Sequence, residues 1–265
     1  MIQNKKNSII YFTFENLSMA RVPHCFTTRI GGVSASGYAT LNLGLHNGDR
    51  EDSVRENFAR LCDAAGFNAA SAVFSNQVHG TNIEEVTAPL RDMQRVIAEA
   101  DGLITNRAGI ALATYYADCV PLLFYDPVRK VVANSHAGWR GASGNIAAKT
   151  VQAMRSRFKS NPQDILVGIG PSICATCFEV DIDVTKSFKK SLPFSGNFMY
   201  NSPSAQNKFH IDLWQICCES LVLADVPRGN IEVAGICTYE HEELFFSHRR
   251  SQGASRGNML AMISL

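Results

Sequence analysis

The sequence lacks any apolar run long enough to cross a bilayer, and its first residues show neither a signal-peptide h-region nor a small-residue cleavage site. It also lacks an excess of one charge: Lys+Arg 25 against Asp+Glu 24 gives a formal net charge of +1. Proteins that follow a phosphate backbone usually concentrate cations in blocks. We therefore expect a cytoplasmic protein that spans no membrane and binds no nucleic acid.

Several short catalytic motifs are also missing. The sequence contains no HExxH, Walker A or GxSxG pattern. Cytidine deaminases need H-x-E ahead of P-C-x-x-C, whereas His241-Glu242 here follows Cys174-Ala-Thr-Cys177. A blue-copper and trinuclear laccase centre needs more than the seven histidines present here, and needs some of them in His-x-His pairs, of which there are none.

Eight cysteines are present, but their spacing is irregular and no secretion signal accompanies them. A disulfide framework is therefore not expected, and most of these thiols should be small buried hydrophobes. Cys174 and Cys177 form a single CxxC pair without a second pair. The lone pair therefore argues against a structural zinc there and leaves a redox dithiol open.

Length and composition allow one large domain or two small ones, and the absence of a dividing segment favours one. The 265 residues are 46% apolar, and no repeat or linker divides residues 1–265. Apolar periodicity predicts helices over 53–65, 145–158, 183–190 and 212–223. Strands are predicted over 101–105, 110–117, 121–125, 131–135, 165–171, 231–239 and 244–249, and 191–208 should be a long surface loop. This order, without a clean βαβ period, predicts a single α/β (α+β) domain of mixed sheets covered by helices.

Three potential metal ligands stand at the ends of strand-like segments: His79, Cys119 and His136. Two imidazoles and one thiolate are a ligand set typical of a catalytic zinc with an open fourth position. Such an ion lowers the pKa of bound water to about 7 and suits hydrolysis or deamination. The alternative is a buried thiol with two hydrogen-bonded imidazoles, because only a fold can bring together residues this far apart.

Other residues could serve the same chemistry. Asp118 precedes Cys119 and could be a hydrogen-bond partner that orients a ligand, a general base or a turn residue. Four arginines beside glycine or aromatic residues could bind phosphate, and three aromatic residues could stack on a base. These are Arg29, Arg140, Arg249 and Arg250, with Tyr115, Tyr116 and Trp139. We take Cys119, His136, Asp118 and Arg29 as candidate catalytic residues.

An ordered series of motifs resembles the YfiH / laccase-domain family, also called the multicopper polyphenol oxidase or purine nucleoside phosphorylase family. The series is TTRIGGVSASGYATLNLGLHNGD, QVHG, DGLIT, ADCVPLLFYDP, HAGWRG, GIGPSICATCFEVD and CTYEHEELFFSHRR, and it runs from about Thr27 to Arg256. The resemblance implies a YfiH-like fold with Zn²⁺ held by His79, Cys119 and His136, with copper as a possible occupant. It also implies phosphorolysis of adenosine, inosine, guanosine and methylthioadenosine, and deamination of adenosine.

The resemblance leaves other functions open. A copper-dependent polyphenol oxidase is one, and a metal-free Cys119–His136 hydrolase that edits peptidoglycan precursors is another. The sequence also departs from the family near its end, where SHRRSQGASRG replaces SxRRDGxTGR. The metal ligands are unaffected by this departure, which concerns the substrate preference and the role of the C-terminal arginines.

Overall fold

The structure is a computed structural model that describes residues 1–90, 93 and 96–265. Its strands, in chain order, are Ile2–Lys6 (β1), Ile9–Thr13 (β2), His24–Thr27 (β3), Ala72–Ser75 (β4), Ile83–Glu85 (β5), Val96–Ile97 (β6), Gly102–Thr105 (β7), Ala111–Tyr116 (β8), Val120–Asp126 (β9), Val131–Ala137 (β10), Leu166–Ile169 (β11), Glu179–Asp181 (β12), Met199–Asn201 (β13), Lys208–Ile211 (β14), Ile231–Val233 (β15) and Met259–Ser264 (β16). The helices are Glu15–Met19 (α1), Glu51–Ala65 (α2), Trp139–Ser143 (α3), Ile146–Phe158 (α4), Ile182–Ser191 (α5), Leu213–Val222 (α6) and His248–Ser251 (α7).

These strands form two large mixed sheets and one small one. The first large sheet has the order β1-β2-β3-β16-β8-β4-β6, and the second has β15-β11-β9-β10-β7-β5. The small sheet, β12-β14-β13, is antiparallel. Parallel pairs such as β4 with β8 and antiparallel pairs such as β9 with β10 occur in the large sheets, which makes both of them mixed.

The two large sheets pack face to face, with helices on their outer faces. Alternation along β9 shows this: Leu123 joins a core shared with residues of the first sheet, whereas Leu122 and Phe124 face a core formed with α4 and α6. The outer face of the first sheet is covered by α2 through residues such as Phe58. Successive strand residues point to opposite faces, so a strand buried on both faces is apolar throughout. The predicted single domain of mixed sheets covered by helices is confirmed.

The four predicted helices are present with small shifts at their ends. The helix predicted from 53 starts at Glu51 and ends at Ala65, and Gly66, with a φ of +78°, caps it. Its apolar positions Val54, Phe58 and Leu61 are buried, as the 3.6-residue period requires. No helix in the described part of the chain is long and apolar enough to span a bilayer.

Near the C-terminus, one predicted strand is absent and another is shorter than predicted. The segment 244–249 is not a strand: Phe245 and Phe246 are buried in a turn, and Ser247 then caps α7 by accepting a hydrogen bond from the Arg250 N–H. The strand predicted over 231–239 ends at Val233. Aromatic residues favour strands, but here burial in a turn satisfies them equally well.

The surface loop predicted over 191–208 also has more structure than expected. Residues Pro193–Phe198 form a 3₁₀-helix, and β13 and β14 pair across the rest of the segment. Conversely, β16 was not predicted, yet it lies between β3 and β8 in the first large sheet. Its sequence, MLAMIS, is a short apolar run whose sheet position depends on partners far away in the chain.

Candidate metal centre

Strand register brings three of the site residues together. His136 lies near the end of β10, where it pairs with Pro121 of β9, so Cys119 lies just beyond the neighbouring strand. On the other side of β10, Ser135 pairs with Gly102 of β7, and the His136 N–H donates to the Asp101 carbonyl at 2.7 Å. Adjacent strands thus place Cys119 and Asp101 on either side of His136.

Asp101 connects the turn that carries His79 to His136. Its carboxylate accepts hydrogen bonds from the backbone N–H groups of Val78 (3.1 Å), His79 (3.1 Å) and Gly80 (2.7 Å). These bonds hold the turn after β4, in which His79 has a φ of +60°. A left-handed conformation at a non-glycine residue needs such external support.

The same carboxylate also orients His136. Asp101 Oδ1 lies 2.8 Å from His136 Nδ1, and Asp101 is 0% exposed. Burial raises the pKa of Asp101, but hydrogen bonding to His136 and to the 78–80 turn outweighs it and lowers the pKa below its ordinary value. An imidazole that donates from one nitrogen to a carboxylate presents the other nitrogen to a metal.

Sequence reasoning missed Asp101. The available signal was an acidic residue between Ala100 and Gly102, directly before a buried strand.

The three predicted ligands converge. One donor atom each from His79, Cys119 and His136 lies within 4.8 Å of the others. The Cys119 Sγ is 4.0 Å from His79 Nε2, and the two imidazole rings are 5.0 Å apart at 83°. Gly138 borders this space: a Cβ there would lie 2.6 Å from His79 Cδ2 and 3.3 Å from the Cys119 Sγ. The glycine of HAGWRG therefore leaves room that the ligands need.

Charge coupling prepares the cluster for a cation. Burial raises the pKa of Cys119, but His136 and then His79 outweigh this and lower the pKa to about 6. Burial lowers the pKa of His136, but the Cys119 thiolate and Asp101 together raise the pKa to about 9. The thiolate is the form of cysteine that binds metals.

The donor set fits a metal ion. Two imidazole nitrogens and one sulfur suit Zn²⁺, and copper accepts the same donors. With three protein ligands, one coordination position stays open to solvent or substrate, as in catalytic zinc sites. The structure thus supports metal binding and leaves the choice between zinc and copper open.

Two cavities meet at the cluster. The larger, of about 510 Å³, is lined by Asn47, Gln77, Tyr115, Arg256 and Asn258 among others. The smaller, of about 350 Å³, contains Trp139, Arg140, Phe178, His248 and Arg249. Both include His79, Ala117 and Cys119 in their walls. Cavities of this size with a few polar groups are typical of small-molecule sites.

Asp118 lines the smaller cavity, and its carboxylate is held by residues of the 238–249 segment. Its carboxylate accepts hydrogen bonds from Thr238 Oγ1 (2.7 Å), Ser247 Oγ (2.9 Å) and the Arg249 N–H (2.7 Å). A buried carboxylate with three donors is well satisfied. These contacts favour a role in positioning Cys119, and the general-base role stays a prediction.

Arg29 lies outside the walls of both cavities. Its Nε donates to the Ala39 carbonyl (2.8 Å), its Nη1 donates to the Glu242 carbonyl (3.1 Å), and its guanidinium stacks on Phe246 at 4.6 Å. The structure therefore does not bring Arg29 to the cluster. Among the residues that the structure describes, the arginines beside the cluster are Arg140, Arg249 and Arg256.

Three comparisons relate this chain to known proteins. The sequence model for "Multi-copper polyphenol oxidoreductase laccase" matches residues 23–265. "Purine nucleoside phosphorylase YlmD" of Geobacillus stearothermophilus is 39% identical over 242 residues, covering 89% of this chain and 88% of that protein. The Bacillus subtilis protein of the same name is 36% identical over 245 residues, covering 91% of this chain and 87% of that protein.

A solved structure agrees with these sequence matches. The crystal structure of the Bacillus licheniformis hypothetical protein YfiH has a TM-score of 0.91 and 34% identity, covering 99% of this chain and 98% of that one. The chain belongs to the YfiH/YlmD-containing family described as multi-copper polyphenol oxidoreductase laccase.

Proposed function

We propose that this chain is a zinc-dependent purine nucleoside phosphorylase acting on adenosine, inosine, guanosine and methylthioadenosine, with an additional adenosine deaminase activity. The observation that carries the proposal is the three-ligand cluster at the junction of two cavities with different walls. The names of the relatives in Geobacillus and Bacillus support the same reaction class.

The two cavities suit the two substrates. The larger cavity offers Tyr115 and the amides of Asn47 and Asn258, which can contact the base and sugar of a nucleoside. The smaller offers the guanidinium of Arg140, stacked on Trp139 at 4.3 Å, and His248. Guanidinium groups bind phosphate through forked hydrogen bonds. We assign the nucleoside to the larger cavity and phosphate to the smaller.

This arrangement suits displacement at the sugar. In phosphorolysis a phosphate oxygen forms a bond to C1′ of the ribose while the bond from C1′ to the purine nitrogen breaks. The bonding electrons leave with the base, which then takes up a proton. Attack and departure on opposite sides of C1′ require the substrates to approach from different directions, and two cavities that meet at one point allow this.

The metal, when bound, supplies a Lewis acid at the junction. The chain's own residues hold that position: Asp101 fixes the His136 ring and the 78–80 turn, and the hydrogen bonds to Asp118 fix the segment before Cys119. Such preorganisation keeps reacting groups within a narrow range of distances. Deamination would replace the C6 amino group of adenosine with oxygen from water and release ammonia.

A product assay tests the proposal. Zinc-loaded protein incubated with inosine and phosphate should release hypoxanthine and ribose 1-phosphate in equal amounts, and with adenosine alone it should release ammonia. A protein with full zinc content that releases neither hypoxanthine nor ribose 1-phosphate would refute the phosphorylase assignment. Ribose release without phosphate would identify a hydrolase instead.

A second candidate is a Cys–His hydrolase without a metal, with peptidoglycan precursors as possible substrates. It is favoured by the pKa of Cys119, lowered to about 6 beside His136, which is typical of a nucleophilic thiol. Activity that survives chelation but ends on alkylation would support this candidate.

The family description favours a third candidate, a copper-dependent polyphenol oxidase. Phenol oxidation by copper-loaded protein is the measurement that would support it.

A further inference from the structure

A second group of metal-ligating side chains lies outside the centre described above. It consists of Cys174, Cys177, Cys237 and Glu240, whose donor atoms all lie within 4.8 Å of one another. Cys237 is buried, Cys174 and Cys177 are half-buried, and Glu240 is exposed. The isolated CxxC pair in the sequence thus gains two partners from a segment about 60 residues further along the chain.

The fold joins these two segments through the backbone. Ser172 forms a parallel bridge with Cys237, and the Thr238 N–H donates to the Ser172 carbonyl at 3.1 Å. After Cys174 the chain turns, because the Phe178 N–H donates to the Cys174 carbonyl at 3.0 Å. Both thiols of the CxxC pair therefore face the turn that follows Cys237.

The distances match tetrahedral coordination. With zinc–sulfur bonds of about 2.3 Å and zinc–oxygen bonds of about 2.0 Å, a tetrahedral site separates sulfur from oxygen by about 3.5 Å. Glu240 Oε1 lies 3.5 Å from the Cys177 Sγ and 3.7 Å from the Cys174 Sγ. A single ion can therefore reach these atoms with little movement.

Backbone donors also point at one of the sulfurs. The Cys174 N–H lies 3.3 Å from the Cys237 Sγ, and the N–H groups of Tyr239 and Glu240 hydrogen-bond to the same thiol. Burial raises the pKa of the Cys237 thiol above its ordinary value, and these backbone donors partly offset that effect. An apolar packing role for Cys237 does not require these donors.

Cationic side chains flank both segments. Arg249 donates to the carbonyls of Cys177 (3.2 Å) and Glu179 (2.9 Å), and Arg250 donates to those of Thr238 (3.0 Å) and Tyr239 (2.6 Å). Three thiolates, a carboxylate and a divalent ion together carry a charge of about −2, which nearby guanidinium groups partly offset.

We propose that Cys174, Cys177, Cys237 and Glu240 form a second zinc site, separate from the centre at His79, Cys119 and His136. Three sulfurs favour zinc over magnesium or calcium, and four protein ligands close the coordination sphere, so the role is structural. The site fixes the turn whose Thr238 hydroxyl donates to Asp118, the neighbour of Cys119. Through this hydrogen bond, the second site helps to hold the segment that carries Cys119 in the first centre.

Metal counting tests this proposal independently of any catalytic assay. Full-length protein is purified under reducing conditions from zinc-supplemented medium, and all metals are quantified per chain by mass spectrometry. We expect two zinc ions in the wild type, one in C174S, one in C177S, one in C119S, and none in C119S/C174S. The control C218A changes a core cysteine of α6 and should keep two. Equal zinc content in wild type and C174S would overturn the proposal.

Cobalt substitution tests the ligand set. Co²⁺ added to metal-free C119S protein should produce intense thiolate-to-metal charge-transfer absorption, because three sulfurs remain at the second site. E240Q should weaken Co²⁺ affinity severalfold in this background, whereas E242Q, a neighbouring exposed carboxylate, should not. No charge-transfer band, or loss of two free thiols to a Cys174–Cys177 disulfide without metal, would refute the site.

Discussion

Replacing Asp101 with asparagine should weaken metal binding. The carboxylate accepts four hydrogen bonds: Oδ1 serves His136 and the His79 N–H, whereas Oδ2 serves the N–H groups of Val78 and Gly80. An amide has one accepting oxygen, so in either orientation its NH₂ faces two donors. Either the His136 ring or the turn that carries His79 loses its support.

The magnitude follows from the strength of the hydrogen bonds that the amide cannot accept. Hydrogen bonds to charged groups contribute about 1.5–3 kcal/mol each, and loss of a residue that orients a metal ligand typically weakens metal affinity about 10–100-fold. We expect the zinc Kd of D101N to rise by that factor, equivalent to about 1.4–2.7 kcal/mol. The kcat/KM for inosine should fall in parallel at limiting zinc.

Competition with a chromophoric chelator measures this change. The matched control is D126N, since Asp126 is also 0% exposed and its Oδ1 accepts the N–H groups of Val128 and Arg129 at the far end of β9. D126N should keep wild-type zinc affinity. Wild-type affinity in a folded D101N protein would refute the idea that Asp101 positions two ligands.

Three further predictions concern the same centre. G138A places a methyl group 2.6 Å from His79 Cδ2 and should lower kcat/KM about 100-fold, whereas G229A, where a Cβ meets nothing within 4 Å, should not. In metal-free protein, iodoacetamide should alkylate Cys119 at a rate that rises through pH 6 as the thiolate forms. Cys62 and Cys217, whose pKa values burial raises to about 12, should stay unreactive. Equal alkylation rates at all three cysteines would contradict the pKa of about 6 for Cys119. R140A should raise the KM for phosphate about tenfold, the value of one charged hydrogen bond, and leave the KM for inosine unchanged, whereas R155A on α4 should change neither.

The candidate ligands His79, Cys119 and His136 could be selected from the sequence because each follows a strand-like segment. These positions alone left open a buried thiol with two hydrogen-bonded imidazoles, and the resemblance of the surrounding motifs to a known family favoured the metal site. Their convergence depends on the register of β9 and β10, which no local pattern specifies.

The residues that support these ligands could not be predicted in the same way. Asp101 has no unusual local context, and its importance comes from the pairing of β7 with β10 and from the turn after β4. Cys237 and Glu240 were likewise missed as partners of the CxxC pair, because a parallel bridge between distant segments brings them together. Local spacing detects metal sites whose ligands are all close in sequence, and neither candidate cluster draws all its side chains from one segment.

The fold shows the same division between local and long-range information. The amphipathic period of α2 and α4 located both helices from local residues. The segment 244–249 looked like a strand because it is aromatic, yet Phe245 and Phe246 find burial in a turn. Whether an apolar segment becomes a strand depends on whether a partner strand lies beside it.

Anomalous scattering at the zinc edge, from crystals of protein purified without added metal, tests the central claim most directly. We predict a peak within bonding distance of His79 Nε2, the Cys119 Sγ and His136 Nε2, with one coordination position open. Well-ordered density for these three side chains with no metal peak between them would contradict it.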